Sequence, residues 1–236
     1  MTELGHLLAA DAVFTTLAWP QELRPSFLVG AIAADAHRTT IGIDYRDLHF
    51  RTARTKGRRL IDFLRGYLRP ALSGGDAFAQ AFFTGWLTHI CGDHVWRQHL
   101  RDELDTLWYR IVDGAALESA ALREEFYEEC DWIDQRLYED RAHQVEDIRW
   151  MLQHASVAYT IPPLKAQDIA RWRQHVLLEQ MPPTPPDLDR SQLLTVAFVT
   201  RCVDDAAMES LAVLDLEIKR VTGGIPDRAG RLQASN

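Results

Sequence analysis

Phe82, Trp86, His89, Asp93 and Trp96 recur at steps of three and four residues, and that spacing constrains the fold more than any other feature of the chain. Such steps share one side of an α-helix, so a helix here presents Phe, Trp, His, Asp and Trp on a single face. Burying an imidazole and a carboxylate among large aromatics is costly unless each has a partner. At i and i+4, a neutral imidazole and a carboxylate can share one divalent cation. Alone the pair is weak evidence: a direct His–Asp hydrogen bond, or exposure of one of the two, accounts for it as well.

The same periodicity runs through nearly the whole chain. Leu4, Leu7, Leu8, Phe14 and Leu17 predict a first helix that stops at Trp19-Pro20, with Asp11 as its one polar position, read as the edge where the stripe meets solvent. A short apolar run from Phe27 to Ala34 ends near Asp35, and Thr39 to Arg51 reads as a loop. A basic amphipathic helix is expected from Gly57 to Leu68, closed by Pro70 and Ser73-Gly74-Gly75. Asp76 caps a long helix through Trp108. Further helices are expected over 117–140, 145–155 and 166–179, and a last one, capped by Ser191, runs to about Val221. The Pro-rich run 181–186 reads as a stiff connector. Tyr127, Cys130, Ile133 and Leu137 are taken as the buried stripe of the acidic helix. No strand pair or internal repeat is visible. The reading is one all-α, multi-helix metal-binding domain over 1–224, with 225–236 a disordered tail.

Charge and cysteines narrow the function classes. A net charge of −8 argues against a surface that coats a nucleic-acid backbone. It leaves open a small phosphate-containing substrate, because a bound metal supplies positive charge locally. Cys91, Cys130 and Cys202 are odd in number and far apart, which fits a reducing compartment without a disulfide framework. The N-terminus has no signal-peptide pattern, and no apolar stretch is long enough for a transmembrane helix. A cytoplasmic, soluble protein is expected, and nothing in the sequence fixes its oligomeric state.

Three further ligand-type residues sit in apolar sequence: His6 beside Leu7-Leu8, Asp35 after Phe27–Ala34, and His49 between Leu48 and Phe50. The order Gly5-His6, then Gly30-Ala31-Ile32-Ala33-Ala34-Asp35, then Leu48-His49-Phe50, then Gly85-Trp86-Leu87-Thr88-His89-Ile90-Cys91-Gly92-Asp93 resembles the zinc-dependent phospholipase C family, which is related to the single-strand-specific zinc nucleases. The resemblance covers the first hundred residues well and the rest as helical continuation. It implies an all-α fold and a cluster of one to three zinc ions that cleaves phosphoester bonds. It implies His6, Asp35, His49, His89 and Asp93 as ligands, with iron or manganese as other metals the site would accept.

This chain departs from the family pattern in two places. Secreted members place their N-terminal amino group on a metal after signal removal, and this chain carries Met1 without a signal. The downstream half-site uses further His and Glu residues; His99 can supply one, but no His-x3-Glu follows it. Glu129 and Asp134, which fit a Glu-x4-Asp pattern ahead of Leu137-Tyr138 in intracellular relatives, are the replacement ligands considered, against a solvated acidic face.

Asp35, ahead of a loop, is the residue expected to hold the attacking water or accept its proton. Arg51 and Arg54, with Arg38 and Lys56, form either a phosphate-recognising rim or the solvated start of the basic helix. Trp86 and Trp96 are either an apolar wall beside the metals or core. His37 and His94, each next to a proposed ligand, are read as surface histidines with pocket lining as the alternative; His143, His154 and His175 read as surface histidines. Three functions stand: a metal-dependent phosphoester hydrolase acting on a small or lipid-derived substrate, a metal enzyme of other chemistry, and a non-catalytic helical module with a structural His/Asp site.

Overall fold

The computed structural model describes residues 1–50, 59–103, 116–181 and 194–223. Among these the chain is helical, with no strand. Thr2 caps α1 (Glu3–Leu17) by accepting from the Gly5 amide at 3.1 Å. The helix stops at Ala18, in the left-handed region at φ 49°. In α2 (Arg24–Ala33), Pro25 sits in the first turn, where its missing N–H leaves no bond unmade. A 3-10 turn over Ala34–Thr39 carries Asp35, and the loop beyond it contains a short helix, α3 (Tyr45–Leu48), capped by Asp44.

The basic helix runs further than its proline suggests. Its start at Gly57 lies outside the described residues; α4 (Leu60–Phe63) passes through a π turn (Leu64–Leu68) into α5 (Arg69–Ser73). The wider turn ahead of Pro70 absorbs the clash that would break a regular α-helix, so the helix ends at Gly74-Gly75 instead.

The centre of the fold is α6 (Ala77–Glu103), capped by Asp76, whose Oδ1 accepts from the Phe78 and Ala79 amides at 3.1 Å each. It crosses α2 backbone against backbone. A Cβ at Gly30 would stand 2.0 Å from the Phe82 carbonyl oxygen, and one at Gly85 would stand 2.0 Å from that of Phe27. Only two glycines permit this approach, and it sets the register between the helices that carry Asp35, His89 and Asp93.

The remaining helices close around this pair: α7 (Ala116–Asp140), α8 (Ala142–His154), α9 (Ala166–His175) with a π turn at Val176–Gln180, and α10 (Val196–Val221). Thr195 caps α10, accepting from the Phe198 amide at 3.1 Å; Ser191 lies outside the described residues. So do the proline run from 182 onward, the end of the helix expected to reach Trp108, and the expected tail.

Two burial expectations are corrected. Asp11 is buried rather than edge-exposed: Arg24 Nε donates to its Oδ1 and Gln144 Nε2 to its Oδ2, both at 2.7 Å, tying α1, α2 and α8 together. On α7, Ile133 and Leu137 are buried as expected, but Tyr127 is exposed while Glu129 and Asp134 are inside. No described helix is long and apolar enough to cross a membrane.

Candidate metal centre

His89 lies one turn past Gly85 on α6. Because the glycine contact brings α2 so close, the His89 Nδ1 reaches the Ala31 carbonyl at 2.8 Å. A carbonyl can only accept, so Nδ1 carries the proton and the Nε2 lone pair points the other way. His49 is arranged likewise, with Nδ1 donating to the Tyr45 carbonyl at 3.0 Å. Two features aim its ring: Trp86 Nε1 donates to the Leu48 carbonyl at 3.1 Å, and Phe50 takes a left-handed backbone at φ 47° with its ring packed on Phe63. A non-glycine residue there costs about 1 kcal/mol, offset by the buried Phe50 side chain. Trp86 is therefore core, a strut for the His49 turn.

The two Nε2 atoms meet 3.0 Å apart. Asp35 Oδ1 stands 3.1 Å from His49 Nε2, and Asp35 Oδ2 stands 3.9 Å from His89 Nε2. Asp93, one turn beyond His89, turns Oδ1 toward His6 Nε2 at 3.5 Å and Oδ2 toward His49 Nε2 at 3.8 Å. His6 stacks on His89 with ring centroids 3.8 Å apart, and both of its nitrogens are buried without a hydrogen-bond partner. Gly92 makes room for it: a Cβ there would come within 3.0 Å of His6 Nδ1. The five residues expected from the sequence thus converge.

Electrostatics fit a cation. Burial, then the neighbouring Met1 amino group, pushes His6 down; burial, then His6, pushes His89 well down, which favours the neutral form of both imidazoles. Burial alone would raise Asp35; positive charge beside it, on protonated His89 and His49 with Arg38 further out, pulls it far below the usual carboxylate range, and a cation between neutral rings would supply the same charge. Asp93 is likewise held low against its burial by the Met1 amino group, His6, His49 and Arg97. Buried neutral imidazoles whose lone pairs converge on ionised carboxylates suit zinc, whose preferred donors they are. Orphaned nitrogens on His6 are what such an ion would satisfy.

Residues beyond the five complete the surroundings. His37, expected at the surface, is only 16% exposed and packs edge-on against His49. It borders the cavity beside Asp35, the pocket-lining alternative that its place next to Asp35 suggests. Asp93 accepts from the Met1 amino group at 2.9 Å, from the Tyr45 hydroxyl at 2.7 Å and from Arg97 Nη1 at 3.1 Å. Arg38 pairs with Glu3 and lies over the Trp172 ring.

The cluster opens through a cavity of about 410 Å³ bordered by Asp35, His37, Tyr45 and Asp93. A neighbouring cavity of about 540 Å³ shares Tyr45, Arg38 and Asp93 and adds Trp96, Leu100, Phe126 and Trp172. Trp96 thus combines the two roles considered for it, as a buried residue edge-on to Phe198 that also borders this cavity.

Three other candidates are held elsewhere. Glu129 accepts from the Leu194 amide at 3.3 Å, and Asp134 accepts from the Leu4 amide at 3.2 Å, anchoring α7 to neighbouring segments. His99 faces α10, bonded to Asp205 at 2.8 Å and Glu103 at 2.9 Å. Arg51, Arg54 and Lys56 lie outside the described residues.

Against known families, residues 6–215 match zinc dependent phospholipase C. The chain belongs to the zinc-dependent phospholipase C family. The match spans α1 through most of α10, so the downstream helices belong to the family fold as much as the first half, which carries the His/Asp cluster. No curated protein and no solved structure matches the chain.

Proposed function

We propose that the protein is a zinc-dependent hydrolase that cleaves a phosphoester bond in a small or lipid-derived substrate, with His6, Asp35, His49, His89 and Asp93 as metal ligands. The observation that carries this reading is the convergence of the His49 and His89 lone pairs at 3.0 Å beside two ionised carboxylates, at the wall of a cavity.

A divalent ion bound there would bring the pKa of water down to about 7 and offset charge on a phosphoryl oxygen. The chain's own groups do the rest. Asp35, held ionised, is a weak base; it orients the attacking water by accepting its hydrogen bond rather than keeping its proton. Arg38 and Arg97 border the larger cavity and offer guanidinium donors to phosphate oxygens. Trp96, Leu100, Phe126 and Trp172 supply an apolar wall for the rest of the substrate. This wall, with a net charge of −8, favours a small-molecule substrate over bulk nucleic acid.

A second reading, a metal-dependent reaction of another class at the same site, is favoured by His99, Glu129 and Asp134 being bonded away from the cluster. The test is hydrolysis of bis-p-nitrophenyl phosphate, and of phosphomonoester and short-chain phospholipid substrates, by chelator-stripped and zinc-reloaded protein. Phosphoester turnover that returns with zinc and is absent in Asp93→Ala is expected. Zinc-loaded protein inert on all three substrates sinks the hydrolase reading and leaves the second.

A further inference from the structure

Arg38 stands where the two cavities meet. It borders the smaller one together with Asp35, and the larger one together with Trp96, Phe126 and Trp172. Asp35 and Arg38 lie three residues apart on the 3-10 turn Ala34–Thr39, a spacing that puts both side chains on one side of such a turn. Arg97 borders the larger cavity but not the one at Asp35, and its Nη1 is already given to Asp93 and Tyr45. Arg38 is the guanidinium that the two cavities share.

Two neighbours fix it. Its Nη1 donates to Glu3, a buried carboxylate in the first turn of α1, and its guanidinium carbon lies 5.7 Å from the centre of the Trp172 ring. The helix that carries Trp172 is tied to the same turn, because Arg171 Nη1 donates to the Thr39 carbonyl at 3.1 Å. A guanidinium has a planar fork of N–H donors, and among the described residues Glu3 accepts from Nη1 alone. The Arg38 side chain is 40% exposed, so its other donors are open to the cavities.

Resting on the hydrolase reading above, we propose that Arg38 grips the substrate's phosphate and that Glu3 sets the strength of that grip, so that a product carrying one more negative charge is released. Hydrolysis adds water across one P–O bond of a singly charged phosphodiester and yields an alcohol and a phosphomonoester, whose second proton leaves to solvent with a pKa of about 6. The added charge meets the Glu3 carboxylate beside the guanidinium. Both guanidiniums at the larger cavity are already paired, Arg38 with Glu3 and Arg97 with Asp93, and Asp131 adds a third carboxylate to the same wall. These side chains hold no surplus of positive charge with which to retain a dianion. Glu3 gives Arg38 a fixed direction and answers part of its charge, which favours product release, a step that limits many enzymes.

The test compares two probes of nearly equal size and different charge, dimethyl phosphate and methyl phosphate, at about pH 8, where the second is a dianion. Full-length, zinc-loaded wild type, Glu3→Gln and Arg38→Ala are titrated by phosphorus NMR, with circular dichroism and zinc content as checks on fold and site. Arg38→Ala is expected to weaken both probes about 10- to 100-fold, the loss of a charge-assisted hydrogen bond to an anion. Glu3→Gln is expected to tighten methyl phosphate relative to dimethyl phosphate about fivefold, the size of a partly exposed charge interaction. That ratio cancels any loss of folded protein, so it stands even where Glu3→Gln is less stable. Wild-type affinity for both probes in Arg38→Ala, or an unchanged ratio in Glu3→Gln, overturns the proposal. A wild type that binds the probes in the expected pattern yet leaves bis-p-nitrophenyl phosphate intact sinks the hydrolase reading, and the release role with it. Normal turnover with the wrong affinity pattern sinks the proposal alone.

Discussion

His49 Nε2 lies 3.0 Å from His89 Nε2, and each ring has already committed its Nδ1 proton to a backbone carbonyl. Two neutral imidazoles so arranged turn lone pair toward lone pair, an arrangement that a shared proton or an intervening cation relieves. The burial that pushes His89 well below its ordinary pKa disfavours the proton. In the proposed function a metal is that partner, with the neighbouring carboxylates as its counter-charge.

The close crossing of α2 and α6 makes the site sensitive to one methyl group. Gly85→Ala drives a Cβ into the Phe27 carbonyl, where the opposing atoms are backbone and cannot rotate away. A loss of about 3 kcal/mol in chemical denaturation is expected. Zinc affinity should fall as well, because His89 and Ala31 separate. Unchanged stability would mean that the helices are further apart than described.

Tyr45 and Arg97 hold Asp93 from the cavity side, and the Arg97 guanidinium also reaches the Tyr45 hydroxyl at 3.1 Å. Removing such support around a ligating carboxylate weakens metal binding about 10- to 100-fold. Tyr45→Phe is expected to show that loss in a competition titration with a zinc indicator, with little change in the melting temperature of the chelator-stripped protein. Wild-type affinity would show that Asp93 needs no support from Tyr45.

Asp134 is predicted to destabilise the protein at neutral pH. Its Oδ1 is buried without a partner, and burial raises its pKa well above the ordinary value. A carboxyl raised in the folded state favours folding most below its unfolded pKa, and stability falls as pH climbs from there to the folded value. Asp134→Asn lacks this slope. Its melting temperature should match wild type near pH 3.8 and exceed it at about pH 8. A variant less stable at the higher pH, with less bound zinc, would instead make Asp134 a ligand.

His99 gives the same direction of slope at the α6–α10 contact. Burial lowers its pKa, but hydrogen bonds to Glu103 and Asp205 outweigh it and the net shift is upward. A raised folded pKa means the contribution is complete below pH 6.5 and is lost as pH rises through the folded value. His99→Gln should melt below wild type at about pH 6 and level with it at about pH 9. An equal deficit at both values would mean that packing, not charge, holds the contact.

How far the site is legible in the sequence depends on whether a ligand lies within one regular element. His89 and Asp93 are legible because one helical period joins them, and Gly85 because it stands a turn before His89. His6, Asp35 and His49 lie on α1, on a 3-10 turn and at the end of a four-residue helix, so only their order and spacing connect them. His37 is harder to place, because no periodicity tells a pocket-lining turn residue from a surface one. Tyr45 is not legible because its contacts bridge elements about 50 residues apart, whereas Arg97 stands one helical turn past Asp93 and is within reach of the same periodicity. Glu129 and Asp134 show the opposite limit: both are buried carboxylates, and sequence alone does not distinguish a metal ligand from an acceptor for a backbone amide. The family match supports the all-α fold and the zinc dependence of the family, while the ligand assignments rest on the geometry.

The most direct test of the central claim pairs zinc content with thermal stability. Protein purified without chelator should carry zinc, and stripping it should lower the melting temperature, since a ligand at a hundred times its dissociation constant stabilises the fold by about 2.7 kcal/mol. Reloading should restore both, and His89→Ala should show neither. A wild-type protein that carries no zinc, takes none up, and melts at the same temperature with or without chelator would contradict the account.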